Sequence, residues 1–132
     1  MTGNVVRTFD DVQSRMNDAN GQTLTATASG ANIAADASFV HVTCTDATHI
    51  VNLPAAVNGK VIRISVDANG CEVRSVVAAD KCNNVVIGAT NEAPLLALAL
   101  YTFVYNGVTG NWTCIGVDNE GVAVTAVIPN AV

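Results

Sequence analysis

Four residues with chemical potential stand close together in this chain: His41, Cys44, Asp46 and His49. His41 falls on an expected strand over residues 39–44 and His49 on another over 48–53, with Asp46 in the turn between them. If those strands pair antiparallel about the turn, the two imidazoles meet. With Asp46 they sketch a metal or acid–base site, and Cys44 beside them sketches a thiol nucleophile. A cysteine nucleophile needs a lowered pKa and an oriented base, and the spacing supplies neither. Two strand histidines beside a turn are also what an ordinary β-domain carries, and that is the reading taken here.

The other reactive residues form no recognisable set. No serine sits in a Gly-x-Ser-x-Gly elbow, and Ser65 and Ser75 read as strand residues. Among the acidic residues only Asp10-Asp11 and Asp118 with Glu120 are close neighbours. A glycosidase pair would have to be assembled by the fold, in a chain with only one Trp, two Tyr and three Phe to line a sugar groove. Calcium wants oxygen ligands at alternate positions of one loop. Asp118-Asn119-Glu120-Gly121 comes nearest and reads better as a solvated turn. The four cysteines, Cys44, Cys71, Cys82 and Cys114, include no close pair of the kind zinc sites use. They are expected as free thiols filling a core. If any two join, Cys71 and Cys82 flank a short excursion and are the expected pair. No catalytic residue, cofactor or metal is expected, and the chain does not read as an enzyme.

The elements that would position these residues are strands. In 95–115, Leu96, Leu98, Leu100, Thr102 and Val104 alternate with Ala97, Ala99, Tyr101, Phe103 and Tyr105. Both sets are largely apolar, which predicts a strand buried on both sides. A polar turn over 106–111 follows, then a return strand opening at Trp112. Further strands are expected over 22–28, 39–44, 48–53, 61–67, 71–77, 84–88 and 122–128. Asn-Gly pairs begin at positions 58, 69 and 106, and the one at 69 predicts a hairpin in which 71–77 pairs back on 61–67. About nine short strands near ten residues apart predict an all-β fold, a single antiparallel sandwich or jelly roll over 22–132. A β-helix would show rungs of constant period. None is visible, so that architecture is kept only as a minor alternative.

Residues 1–21 read differently. Thr8 with Asp11 three residues on can cap a short helix, Phe9, Val12 and Met16 recur at helical spacing, and Asn20-Gly21 stops it. A helix of barely three turns gains stability mainly by packing. Val5, Val6, Phe9, Val12 and Met16 are therefore expected to form a docking arm against a partner. The competing reading is a plug for one end of the chain's own sandwich.

Composition bounds the partners. Of 132 residues 50% are hydrophobic and 13% charged, against about 25% charged in an average domain. So neutral a surface suits a subunit that covers itself with others. The net charge of −5 and the scattered Arg7, Arg15, Lys60, Arg63, Arg74 and Lys81 offer no basic patch for nucleic acid. The longest apolar run, 94–100, is too short to span a bilayer. The start, MTGNVVRTFDD, lacks the apolar core and cleavage pattern of a signal peptide. Synthesis in the cytoplasm without secretory export is expected, which makes the sequon at 111–113 a chance match.

Three stretches carry a resemblance: Leu53-Pro54-Ala55-Ala56, then Gly59-Lys60-Val61-Ile62-Arg63-Ile64, then Tyr101 to Ile115. Together, over roughly 37–117, they resemble the β-rich modules of tailed-phage virion proteins: capsid decoration (cement) proteins, tail fibres and tailspikes. The resemblance implies a structural role in a virion, usually as a homo-oligomer, with a trimer favoured over a dimer. A fibre subunit is normally long, with a shaft and a tip, whereas this chain reads as one small domain with an arm. The expectation is therefore a decoration protein bound to the major capsid protein. A short tail-fibre or receptor-binding module is the alternative, and a small carbohydrate-binding or hydrolytic sandwich the third.

Overall fold

The computed structural model describes residues 21–88 and 90–131, so the arm expected over 1–20 lies outside the described residues. Twelve strands follow: β1 Gly21–Thr25, β2 Ala31–Asn32, β3 Phe39–Thr43, β4 Ile50–Leu53, β5 Val61–Val66, β6 Cys71–Ser75, β7 Lys81–Cys82, β8 Val85–Val86, β9 Asn91–Leu95, β10 Ala99–Asn106, β11 Asn111–Asp118 and β12 Asn130–Ala131. They form a seven-stranded sheet, β1-β3-β5-β10-β11-β7-β8, packed on a five-stranded sheet, β12-β9-β6-β4-β2. The all-β sandwich is as expected, but its sheets are mixed rather than purely antiparallel.

The first half is a coil. Successive strands β1, β3 and β5 pair parallel in the large sheet, while β2, β4 and β6 pair parallel in the small one. Each odd strand is followed by an arch that crosses to the other sheet. The arches are built from residues that turn the chain at low cost. Gly30 and Gly70 take φ of 100° and 78°, as glycine does readily. Asp46 Oδ1 accepts from the Thr48 N–H at 2.9 Å, and Asp67 Oδ1 from the Asn69 N–H at 3.1 Å, each an Asx turn. Asn69-Gly70 is thus an arch between sheets, not the expected hairpin: β6 lies on β4 and β9, and never on β5.

The coil escaped the sequence because its period is not constant. Gly21 stands opposite Phe39 and Phe39 opposite Arg63, spacings of 18 and 24 residues. In the small sheet Ala31, Val51 and Val73 align at spacings of 20 and 22.

The β10–β11 hairpin closes the large sheet antiparallel against β5. The strand expected from Leu95 is broken: β9 ends there in the small sheet, Leu98 takes a left-handed φ of 56°, and β10 begins at Ala99 in the large one. Tyr101 Oη accepts the Leu96 N–H at 2.9 Å across that break. The ring of Tyr101 lies over Gly116, directly opposite it, where a Cβ would stand 2.5 Å from the ring. The core holds Trp112, Tyr101, Phe103, Leu53, Ile62 and Ile64, all fully buried. The strand expected over 122–128 does not form. Only Ala123 makes a bridge, to Val117, before β12.

Candidate functional site

Alternation along each strand sends every second residue away from the core, so the register defines what the outer faces carry. Across the large sheet one outward row reads Gly21, Phe39, Arg63, Thr102, Ile115. A second reads Thr23, His41, Ser65, Leu100, Val117, and a third Val61, Val104, Thr113. These rows hold Arg63 and the imidazole of His41, and the next row along, Asn106, Asn111, Lys81 and Val86, adds Lys81. Leu100 is 36% exposed, Val104 41% and Ile115 70%. A groove of about 470 Å³ runs along this face beside Thr102, Val104, Thr113 and Ile115. A smaller one lies between Leu100, Ile115 and Val117. The expectation that this β-strand is buried on both sides is therefore corrected. Tyr101 and Phe103 face the core, whereas Leu100 and Val104 face outward with no second layer over them among the described residues.

The outer face of the small sheet is different. Its central row reads Asn32, Asn52, Arg74, Glu92, Asn130. Arg74 and Glu92 form an ion pair, Asn52 donates to Asn32 Oδ1 at 3.0 Å, and Glu72 lies one position along from Arg74 on the same face. Burial raises the Glu72 pKa, partly offset by Arg74. One outer face is thus polar and the other apolar.

The most concentrated polar group in the described residues is internal. Asp80, 2% exposed, accepts from Ser75 Oγ at 2.6 Å and Trp112 Nε1 at 3.3 Å on Oδ2, and from Tyr105 Oη at 3.1 Å on Oδ1. The rings of Tyr105 and Trp112 pack at 4.8 Å. Burial, then Asp80, raises the Tyr105 phenol above its usual pKa. The carboxylate spends its acceptors on the protein itself and has no path to solvent. It ties the excursion between β6 and β7 to the hairpin rather than offering a reactive group. Sequence reasoning missed this cluster, because its members are separated by up to 37 positions (Ser75 to Trp112) and only the fold joins them.

The residues singled out for chemistry are not brought together. His41 lies on β3 in the large sheet, its Nδ1 3.2 Å from Ser65 Oγ on the outer face. His49 precedes β4 in the small sheet. The antiparallel pairing that would have joined them does not exist, because the chain crosses between sheets at Asp46. That carboxylate is held below its usual pKa by the Thr48 N–H and hydroxyl, with a smaller contribution from His49. Cys44 is buried, and its thiol donates to the Asp46 carbonyl at 2.6 Å. Asp118 Oδ1 accepts the N–H groups of Glu120 and Val122, both at 2.9 Å, so it closes its own turn. Among the described residues no three His, Cys, Asp or Glu side chains gather to hold a metal. Cys71 stands on β6 of the small sheet and Cys82 on β7 of the large one, so the short excursion between them crosses from one sheet to the other. The apolar stripe Val5, Val6, Phe9, Val12 and Met16 lies outside the described residues.

Compared with family models, curated proteins and solved structures, the chain matches none.

Proposed function

We propose that this protein is a non-enzymatic virion structural protein of a tailed phage, a capsid decoration protein that seats its apolar outer sheet face on the major capsid protein. The observation that carries the reading is the asymmetry between the two outer faces. A row of Phe39, Thr102 and Ile115, broken by the single charge of Arg63, stands on one side, and an ion-paired polar row on the other. Such a molecule presents two chemically distinct faces, one of them rich in exposed apolar side chains. The arm fits the same arrangement. Residues 1–20 join the domain at Gly21, which lies in the row of Thr102 and Ile115, four strand spacings or about 19 Å from the latter. Homo-oligomerisation, as a trimer, follows from the resemblance and suits the low charge.

The tail-fibre alternative is kept for one observation. The first turn of the parallel coil ends in two edge strands, β1 and β2, at the same end of the two sheets, and strand edges accept further strands.

The experiment is co-sedimentation with phage heads. Both removal of residues 1–20 and Ile115→Glu are expected to leave the melting temperature within a few degrees and to abolish co-sedimentation. A truncated chain that melts far lower identifies the segment as part of the core. Retained co-sedimentation by both variants, at unchanged stability, overturns the reading.

A further inference from the structure

Cys82 and Cys114 belong to different strands and different stretches of the sequence, yet the fold aims them at one spot. Cys82 stands opposite Trp112 in the parallel β7–β11 pair, and Cys114 is the next residue of β11 that faces the core. Between them Asn83 holds the two strands in register. Its Oδ1 accepts the Cys114 N–H at 2.9 Å, its Nδ2 donates to the Cys114 carbonyl at 3.0 Å, and its own N–H donates to the Trp112 carbonyl at 2.9 Å. Asn83 takes a left-handed φ of 46° to do so, which asparagine tolerates better than most residues. Both thiols are buried, at 0% and 3% exposure, at neighbouring core-facing positions of the paired strands.

We propose that Cys82 and Cys114 close as a disulfide under oxidising conditions, fastening β7 to β11 beside the Asp80 cluster, while Cys44 and Cys71 stay reduced. The inference is independent of the virion reading. With oxidised glutathione as the oxidant, one thiolate displaces a glutathione thiolate and forms a mixed disulfide. The second thiolate attacks the protein sulfur of that bond and releases the other glutathione. The two thiol protons are released, and the two electrons leave with two molecules of reduced glutathione. Cys44 is excluded because its thiol is turned to the Asp46 carbonyl.

The same surroundings set when the bond forms. The contact with Cys82, and then burial, hold the Cys114 thiol far above its ordinary pKa. Burial likewise pushes Cys71 up to about 12. Thiolates are the attacking species, so in the folded protein exchange is slow, and the bond closes during folding, before the core is sealed.

The test refolds the full chain from urea in a glutathione redox buffer, blocks free thiols, and maps the product after cleavage behind Tyr105 and Trp112, which separates the two cysteines. The expected product joins Cys82 to Cys114 and leaves Cys44 and Cys71 alkylated. It melts on the order of 10 °C above the reduced protein. Adding the same buffer to already folded protein yields the bond far more slowly. Cys71→Ala retains the bond and Cys82→Ala loses it, and mapping of the unmodified sequence decides the matter should either variant fail to fold. Four alkylated cysteines after refolding, or a bond joining Cys71 to Cys82 or Cys44, overturns the proposal.

Discussion

Replacing Asp80 by alanine is expected to be among the most destabilising single changes in the domain, and the size of the effect follows from who loses a partner. Three donors converge on this carboxylate: Ser75 Oγ, Trp112 Nε1 and Tyr105 Oη. Tyr105 is only part-buried and can turn its hydroxyl toward water, so it loses little. Ser75 keeps one contact, as acceptor of the Val77 N–H at 3.1 Å. The indole N–H of Trp112 has no such escape, being fully buried. Stranding a buried donor costs about 1–3 kcal/mol, and a hydrogen bond to a charged group contributes about 1.5–3 kcal/mol. Two buried donors therefore lose about 3–6 kcal/mol together, a large part of the 5–15 kcal/mol that holds a typical domain. Asp80→Asn separates geometry from charge. Its oxygen can take the place of Oδ2 before Ser75 and Trp112, and its amide can donate to the Tyr105 oxygen, so the expected cost is about 1–2 kcal/mol. Urea unfolding followed by tryptophan fluorescence reads both, since Trp112 is the single tryptophan. At an m-value of about 1–3 kcal/mol/M the alanine variant should lose about 2 M or more in its midpoint, with the asparagine variant well above it. An alanine variant within about 1 kcal/mol of the parent, or one more stable than the asparagine variant, would refute the argument that the cluster is a structural tie.

Gly88→Ala should destabilise by about 1–3 kcal/mol or more, because a Cβ there meets the Ala78 carbonyl oxygen at 2.2 Å and its carbon at 2.4 Å, backbone that cannot swing aside; thermal melting checks it, and an unchanged Tm counts against the close approach of these two segments. Replacing His41 or His49 by alanine should leave the domain folded and abolish no hydrolytic activity, since the two imidazoles stand on separate sheets; loss of a measurable hydrolysis at unchanged fold in either variant would show that a centre had been missed.

The strands were legible wherever alternation is clean. Residues 61–66 alternate Ile62, Ile64 and Val66 inward against Val61, Arg63 and Ser65, and they form β5 as read. Pairing was not legible, because an Asn-Gly turn serves a hairpin and an arch equally well. What separates them is whether the next strand finds its partner in the same sheet, and that depends on residues dozens of positions away. The apolar alternation of 95–105 was over-read for a related reason. Leucines on both sides of a strand imply two buried faces only if something covers both. Here the inner set, Tyr101 and Phe103, meets the core, and the outer set, Leu100 and Val104, lies on an open face. The four cysteines are all buried, as a core role implies, but their neighbours depend on the coil and could not be inferred from spacing.

Low charge content has two physical meanings that composition cannot tell apart. It can reflect a large core, in which case the surface is ordinarily charged, or it can reflect a surface region that lacks charge. The register decides between them for this domain. The middle row of the small sheet carries Arg74 and Glu92 among asparagines, and Asp46, Asp67 and Asp118 close turns at the ends of strands. The outward rows of the large sheet carry Arg63, between Phe39 and Thr102, and Lys81 near the β7 edge, with no acidic residue in the rows read from the register. The deficit of charge is therefore local to one face. A sheet face of this kind left in water exposes Leu100, Val104 and Ile115 among threonines, which favours association over solution. Its strand edges and hydrogen bonds are already organised, so covering it requires little ordering from this side of the interface. That combination, a weakly charged face rich in apolar side chains opposite a polar one, is what the proposed docking on another protein would use. It also predicts where a single charge does most harm to association and least to folding: at Ile115, in the middle of that face and 70% exposed.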